Sequence, residues 1–200
     1  VLEAFLLYHN DHSNRQSLGD LVRERREDPS DAELLWLGPR VSGMFDLELV
    51  GELDYLLGGA WVVGEEVLLD FDEDDDDQNR VSSRTTRNVS GWAVDSYLTS
   101  APPLPAEPTI TFGYAFGTGD TGRDGRGKNG AFRQTGLQDN NSRFRNVDRF
   151  RYYGELLRPE LANLPIWTAS LGFPLPDDSS VDSLHNIYSQ VHPASSCRDP

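Results

Sequence analysis

Arg143-Phe-Arg-Asn-Val-Asp-Arg-Phe-Arg-Tyr-Tyr-Gly-Glu-Leu-Leu157 is the most informative run of the chain. In an extended strand, successive side chains point to opposite faces. One face of such a strand would carry charged groups: Arg143, Arg145, Arg149, Arg151 and Glu155. The opposite face would carry rings and an aliphatic group: Phe144, Phe150, Tyr152 and Leu156. This division predicts the wall of a β-barrel with a wet interior and a lipid-facing exterior.

The arginine face of this run cannot lie in hydrocarbon. Each arginine facing lipid at the membrane midplane costs about 2–4 kcal/mol, so four would cost about 8–16 kcal/mol. A small domain has a total stability of only about 5–15 kcal/mol. We therefore expect the arginines to face water or a polar lumen. Asn146 and Asp148 share the apolar face, and we expect them near the outer interface, where the penalty falls.

Period-2 alternation recurs along the chain, and helical periodicity is scarce. It predicts about eight strands, at 1–9, 32–43, 45–63, 88–100, 107–117, 142–157, 164–174 and 180–191. The cleanest strand, 107–117, has one face of bulky apolar groups: Ile110, Phe112, Tyr114 and Phe116. We expect an all-β fold, a segment of an antiparallel up-and-down transmembrane β-barrel. It would form a single domain over 1–191, followed by a tail over 192–200.

The predicted connections alternate in length. The long, polar ones are at 10–31, 64–87 and 118–141. The short ones are near 43–45, at 101–106 and at 158–163. The connection at 175–179 is short where a long one would be due. Long loops at one end and short turns at the other are typical of outer-membrane barrels.

The net charge of −15 in 200 residues is unevenly distributed. Seven acidic residues lie within 70–77, whereas 123–158 holds nine of the 18 basic residues against four acidic ones. We expect local charge to matter more than the total, and no nucleic-acid partner. No stretch approaches the ~20 apolar residues of a membrane helix. Cys197 is the only cysteine, so no internal disulfide framework exists.

A second candidate feature is an acidic ladder on the strand predicted at 45–63. Its acids fall on the face opposite Phe45, Tyr55 and Leu57: Asp46, Glu48, Glu52 and Asp54. We expect these acids to face the lumen and to pair with arginines across strands. A turn at Gly43–Met44 would bring Arg40 near Glu48. Alternatively, the acids keep a polyanion from binding the wall too tightly.

Other motifs predict no chemistry. Gly117-Thr-Gly-Asp-Thr-Gly122 matches a dinucleotide fingerprint, but loop residues follow it where a helix is required. The acidic run 70–77 is interpreted as a solvated loop, with calcium binding as the alternative. The four histidines have no metal-ligand spacing, and no nucleophile elbow or acid–base pair is evident. We expect no enzyme activity, no cofactor and no metal.

Several motifs together resemble the bacterial alginate export outer-membrane proteins (the AlgE family). They are Asn129-Gly-Ala-Phe-Arg-Gln-Thr-Gly-Leu-Gln-Asp-Asn140, Arg149-Phe-Arg-Tyr-Tyr-Gly-Glu-Leu-Leu-Arg-Pro-Glu-Leu-Ala-Asn-Leu164, Val89-Ser-Gly-Trp-Ala-Val-Asp95 and Ile110-Thr-Phe-Gly-Tyr-Ala-Phe-Gly-Thr-Gly-Asp120. The resemblance implies an 18-stranded barrel that exports an anionic uronate polysaccharide through an arginine-lined constriction. About eight strands would then be part of the C-terminal half, and the chain a partial one.

By the same resemblance, Arg133, Arg149 and Arg151 are candidate lumen residues, followed by Arg143 and Arg145. Arg40 joins them through its expected contact with the acidic ladder. The resemblance also implies the bacterial outer membrane as location, its lipid as surroundings and a periplasmic scaffold lipoprotein as partner. Two other functions fit the alternation: a general porin for anions or small acids, and a soluble all-β carbohydrate-binding or adhesion module.

Overall fold

The computed structural model describes residues 1–12, 21–22, 31–48, 50–73, 79–120, 128–134, 141–144, 147–151, 161–176 and 179–192. At 21–22, 70–73, 79, 141–144 and 147–151 it describes the backbone alone. All further statements refer to these residues.

The described chain is made of strands joined by turns and bends. The seven strands of the continuous sheet are β1 (Leu2–Asp11), β3 (Ala32–Leu47), β4 (Gly51–Glu73), β5 (Asn79–Ala101), β6 (Thr109–Gly117), β10 (Leu164–Leu175) and β11 (Ser179–Tyr188). Four short strands complete the set: β2 (Leu21–Val22), β7 (Lys128–Asn129), β8 (Asn141–Phe144) and β9 (Val147–Arg151). No helix among the described residues is long and apolar enough to span a bilayer.

The seven strands pair in the order β1-β3-β4-β5-β6-β10-β11, and every neighbouring pair is antiparallel. β2 and β7 both add to β5, β2 antiparallel and β7 parallel. This arrangement confirms the predicted all-β, antiparallel up-and-down segment. Each of the seven strands of the continuous sheet, which we call wall strands, pairs with the next one along the chain, as in the meander of an outer-membrane barrel.

The register sorts the side chains onto two faces. One, which we call the apolar face, carries cross-strand neighbours such as Leu6, Leu37, Trp61 and Trp92 in a continuous row. It continues through Phe112 and Trp167, whose side chains are 60% and 58% exposed. The ring pairs on this face have centroids 4.5–5.2 Å apart: Phe45–Tyr55, Trp92–Phe116 and Tyr114–Trp167. So large an exposed aromatic surface is typical of a face that contacts lipid or another protein.

The height of the apolar face matches a bilayer. On β4, the residues of this face are apolar from Leu53 to Val63 and end at Glu65. At ~3.3 Å per residue this band is about 33 Å long, which a strand tilt of ~40° reduces to about 25 Å along the membrane normal. Outer-membrane barrels have an apolar band of about this height.

The segment 64–87 was predicted as a loop, and the structure corrects this interpretation. β4 and β5 continue as a paired hairpin past the apolar band, with Val67 opposite Thr86 and Leu69 opposite Arg84. The extension is roughly ten residues long on each strand, or about 33 Å. The acidic run 70–77 obscured it, because its charges hide the alternation that continues on either side. The side chains of this run lie outside the described residues.

The first predicted turn was also misplaced. β3 continues through Gly43 and Met44 to Leu47, and the chain turns over 48–50 into Gly51, which has φ +71°. Gly43 lies within the strand against the Tyr55 ring, and an added Cβ would lie 2.6 Å from the Tyr55 hydroxyl oxygen. Arg40 is therefore opposite Glu3 and Gly58, and the predicted contact with Glu48 was wrong.

The strand predicted at 142–157 is a third difference. Its described part forms two short strands, β8 and β9, which pair with each other in a separate two-stranded sheet. The hairpin lies within a long connection, 118–163, because β6 pairs directly with β10. The sequence could not distinguish a wall strand from a hairpin, since both alternate with period 2.

Because β6 pairs directly with β10, the lengths of the connections alternate with no exception among the described strands of the continuous sheet. The short turns 48–50, 102–108 and 176–178 all lie at one end of the sheet, the short-turn end. The strand ends that are joined by 12–31, 74–78 and 118–163 lie at the other end, together with the long β4–β5 extension. The short connection at 175–179, which was predicted to interrupt the alternation of long and short connections, follows it.

The assignment of faces predicts opposite results at two neighbouring leucines. Leu57→Arg places a cation in the middle of the apolar face and is expected to cost about 2–4 kcal/mol of folding free energy in a bilayer. Leu56→Arg, on the other face, is the matched control and is expected to cost much less. Urea unfolding from lipid vesicles, followed by tryptophan fluorescence, measures both. Equal losses would contradict the assignment.

Candidate functional site

The face opposite the rings, which we call the loop-bearing face, has two zones. Toward the short-turn end it is polar and includes Ser42, Asp54, Tyr97 and Thr99, which help line a cavity of about 380 Å³. The Thr99 and Thr111 hydroxyls hydrogen-bond at 3.0 Å, and Thr168 donates to Asn186 at 2.7 Å. Toward the long-loop end the face is apolar and covered.

The cover of the apolar zone comes from the long connection 118–163. Phe132 and Leu161 are buried against apolar wall residues. These include Trp36, Val62, Val89, Ala93, Ala115 and Ile166, all on the loop-bearing face by register. Phe132 also donates its backbone N–H to the Thr118 carbonyl oxygen at 2.9 Å. The interior of this part of the molecule is therefore filled by chain that follows β6.

A buried carboxylate fastens the segment 128–134 to the wall. Glu66, on β4, is fully buried. Its Oε1 accepts from Asn129 Nδ2 at 2.7 Å and from Arg133 Nη2 at 3.0 Å, and its Oε2 accepts from Arg133 Nε at 3.2 Å. Two donors of one guanidinium thus engage both oxygens of one carboxylate, the strongest common geometry for such a pair. These contacts satisfy a charge that could not remain buried alone.

Further hydrogen bonds surround this ion pair. Trp36 Nε1 donates to the Arg133 carbonyl oxygen at 2.7 Å, and the Ala131 N–H donates to Asn129 Oδ1 at 2.9 Å. β7 adds a parallel pairing of Lys128 and Asn129 with Asn88 and Val89 of β5. The segment is held at several points, so the position of Arg133 is fixed by the wall.

Two glycines allow the close approach of the covering chain. An added Cβ at Gly91 would lie 2.7 Å from backbone atoms of Ala131 and Phe132. At Gly117 it would lie 1.9 Å from the Leu161 carbonyl oxygen. Neither contact is possible for a real side chain, so both strands need glycine to receive the inserted backbone.

A second buried acid lies at the base of the β4–β5 extension. The Asp31 side chain contacts His12 and the guanidinium of Arg84. Its carbonyl oxygen accepts from the Val67 N–H at 2.8 Å. These contacts join the ends of β1 and β3 to the extension. No group of three or more metal-ligating side chains occurs in the described ranges.

Of the predicted cationic lumen residues, the structure describes the side chains of Arg133 and Arg40. Arg133 belongs to the Glu66 site, and its side chain is 32% exposed. Arg40 is exposed on the loop-bearing face at mid-height, opposite Gly58. The backbones of Arg143, Arg149 and Arg151 lie in the β8–β9 hairpin, but their side chains lie outside the described residues, as does Arg145 entirely.

The members of the acidic ladder that belong to strands, Asp46, Glu52 and Asp54, lie on the loop-bearing face. Asp46 of β3 is directly opposite Glu52 of β4, and Asp54 is opposite Met44 and Thr99. Glu48 lies exposed in the turn. The direct cross-strand neighbours of the ladder are therefore not arginines. Like charges face each other at Asp46 and Glu52, which is unfavourable unless water or a counterion screens them.

Sequence reasoning missed Glu66, Asn129 and Trp36 as members of the site. Glu66 was hidden because 64–87 had been assigned to a loop. Its signal was available: Glu66 keeps the parity of Ala60 and Val62 on β4, and a charge on a wall face that becomes covered requires a partner. The partner, Arg133, lies 67 residues further along the chain.

The fold and this site together define a class: a wall segment of an outer-membrane β-barrel, with chain from a long connection packed on one face of the sheet. The family model for alginate export matches residues 2–196. The chain belongs to this family, whose members are transport channels and not enzymes. No curated protein matches the chain.

Removing the cation of the site is expected to be costly. Arg133→Met leaves the Glu66 carboxylate buried without its charge partner, which should lower the free energy of unfolding by about 3–5 kcal/mol. The double variant Glu66→Gln with Arg133→Met should recover part of this loss, because a neutral amide needs no counter-charge. Urea titrations of the unaltered protein, Arg133→Met, Glu66→Gln and the double variant give the coupling energy between the two side chains. A double variant as unstable as the sum of the single variants would contradict the pairing.

The close approach at Gly91 gives a second prediction. Gly91→Ala should destabilise the protein by about 1–3 kcal/mol, because the methyl group collides with the inserted backbone. Gly59→Ala is the matched control, since its added Cβ would meet no atom closer than 3.8 Å. Thermal unfolding in detergent compares them. If the two variants melt together, the segment 128–134 does not lie against β5.

Proposed function

We propose that this protein forms part of an outer-membrane passage through which an anionic, alginate-like uronate polymer leaves the periplasm. The match of 2–196 to the alginate export family carries this proposal. An apolar face about 25 Å high on one side of the sheet and a polar face on the other are the physical requirements for such a passage. In this proposal lipid surrounds the apolar face, and a periplasmic scaffold lipoprotein delivers the polymer.

Arginine side chains attract the polymer in this proposal. The candidates are Arg143, Arg145, Arg149, Arg151 and Arg40; Arg133, which the resemblance also suggests, is paired with Glu66 and contributes by holding the segment 128–134 in place. The connection 118–163 supports a location at the lumen, because 128–134 and Leu161, which flank the β8–β9 hairpin in sequence, both contact the loop-bearing face. Guanidinium groups form planar, bidentate contacts with carboxylates and lower the barrier for a polyanion that enters a narrow passage.

The acidic ladder of Asp46, Glu48, Glu52 and Asp54 has the opposite role. Three of its members line the loop-bearing face near the short-turn end, where they repel carboxylates from the wall. Conduction requires binding that is strong enough for entry and weak enough for release. An attractive region and a repulsive wall in one passage satisfy both requirements without chemistry on the polymer.

A soluble carbohydrate-binding module is disfavoured by a specific observation. Phe112, Trp167 and Ile187 are 58–67% exposed on one continuous face with no second sheet over it in the described structure. In water such a surface would aggregate.

The arginine proposal is tested by ion selectivity. Channels carrying Arg149→Glu or Arg151→Glu, reconstituted in planar bilayers, should lose several-fold in their chloride-to-potassium permeability ratio. Arg149→Lys, which keeps the charge, is the matched control and should retain the ratio. A tetra-uronate should block current through the unaltered channel, whereas a neutral tetrasaccharide should not. Block by both sugars would indicate a general porin, and unchanged selectivity in both Glu variants would rule out the role of these arginines.

A further inference from the structure

One cation on the loop-bearing face belongs to none of the predicted sets. Arg87 lies on β5 directly opposite Glu66, and its side chain shares a face with Val89 and Gly91. We propose that Arg87 supplies the uncompensated positive charge that selects carboxylate-bearing polymers at the level of the Glu66 site. This inference rests on the export function proposed above and names a specificity-determining residue for it.

The charge of Arg133 is already balanced at this level. Its Nε and Nη2 both donate to the Glu66 carboxylate, at 3.2 Å and 3.0 Å. Opposite unit charges in contact cancel at a distance, so a passing polymer experiences the pair as a dipole and not as a cation. Arg133 therefore contributes mainly to shape, by holding the segment 128–134 against the wall.

Arg84, the next arginine toward the tip of the extension, lies opposite Leu69 on the other face of the sheet, and its charge is balanced in the same way. It forms an ion pair with the buried Asp31. Two of the arginines near the long-loop end thus have dedicated carboxylates, and each of these carboxylates is at least nine-tenths buried. Arginines bound in this way stabilise the fold and are not available to a ligand.

Arg87 differs from both. Within the described part of the chain, its guanidinium makes no hydrogen bond and no ion pair, and the side chain is half-buried. The Glu66 oxygens next to it are occupied by Asn129 and Arg133. Partial burial lowers the local dielectric constant, which strengthens the field of an uncompensated charge. Its five donors in a planar fork match the carboxylate of a uronate unit.

The structure also provides a matched control for this charge. Lys128 of β7 pairs with Asn88, the residue next to Arg87. Asn129 directs its side chain to Glu66, so the alternation of side chains along β7 places the exposed Lys128 on the other face. Lys128→Gln removes one positive charge at nearly the same height, but from outside the passage.

The experiment compares the unaltered channel with Arg87→Gln, Arg87→Lys and Lys128→Gln in planar bilayers, with a tetra-uronate as the probe. Arg87→Gln should lower both the chloride-to-potassium permeability ratio and the association rate of the tetra-uronate by at least about threefold. Arg87→Lys should keep the ion ratio, because the charge remains, but weaken tetra-uronate block, because an ammonium lacks the planar fork. Lys128→Gln should match the unaltered channel in both measurements.

A fourth variant tests whether the charges of Glu66 and Arg133 balance each other. Glu66→Gln frees the charge of Arg133 and should raise the chloride-to-potassium ratio, opposite in sign to Arg87→Gln. If these residues had a purely structural role, Glu66→Gln and Arg87→Gln would change the chloride-to-potassium ratio in the same direction or not at all. Folding of each variant is checked by the heat-dependent mobility shift of barrels on gels.

The outcomes separate the two proposals. Suppose that the tetra-uronate blocks the unaltered channel, and that Arg87→Gln and Arg87→Lys show the same block and the same ion ratio as the unaltered channel. The role of Arg87 is then overturned and the export function stands. If the unaltered channel shows neither anion preference nor block, the export function itself fails. Equal effects of Arg87→Gln and Lys128→Gln would also overturn the inference, because the charge would then act without regard to the face that carries it.

Discussion

Hydrocarbon provides no hydrogen-bond partners and no solvation for charge, and this constraint governs each wall strand of the protein. Backbone groups must pair with neighbouring strands, which explains the continuous antiparallel order from β1 to β11. Side chains must divide by parity, which explains why Trp61 and Trp92 share a face with each other but not with Glu66. Once the register is set, the division into two faces follows everywhere at once, because a slip of one residue would move every ring into the interior.

The loop-bearing face is governed by packing: the space over its small residues must be filled. A barrel wall alone would leave the small residues Ala60, Gly91 and Ala93 facing an empty space. The chain fills that space with Phe132 and Leu161 from a long connection and fastens the insertion through Glu66 and Arg133. A buried ion pair contributes little net stability, since desolvation offsets attraction, but it allows only one partner in one position. The pair therefore specifies where the inserted segment lies, and the apolar contacts of Phe132 stabilise it there.

The same arrangement affects how charge could reach a polymer. Arginine is abundant in the chain, yet two of the arginines near the long-loop end, Arg84 and Arg133, are engaged by buried carboxylates. Counting arginines therefore overestimates the field that a substrate would experience. The relevant quantity is the number of guanidinium groups without a dedicated counter-charge, and this depends on contacts between residues far apart in sequence.

Period-2 alternation by itself determined the all-β fold, the faces of Phe45, Asp46 and Trp167, and the contrast between long loops and short turns. Even the misplaced first turn left the faces intact, because Leu47 pairs with Gly51 and parity is preserved across the hairpin. Alternation could not determine which extended runs become wall strands, as 64–87 and 142–157 demonstrate. Only the tertiary structure decided that β6 pairs with β10, that 128–134 lies on the loop-bearing face and that Glu66 meets Arg133. These contacts join residues up to 97 positions apart, and their formation depends on space and charge in the assembled sheet and not on any local pattern.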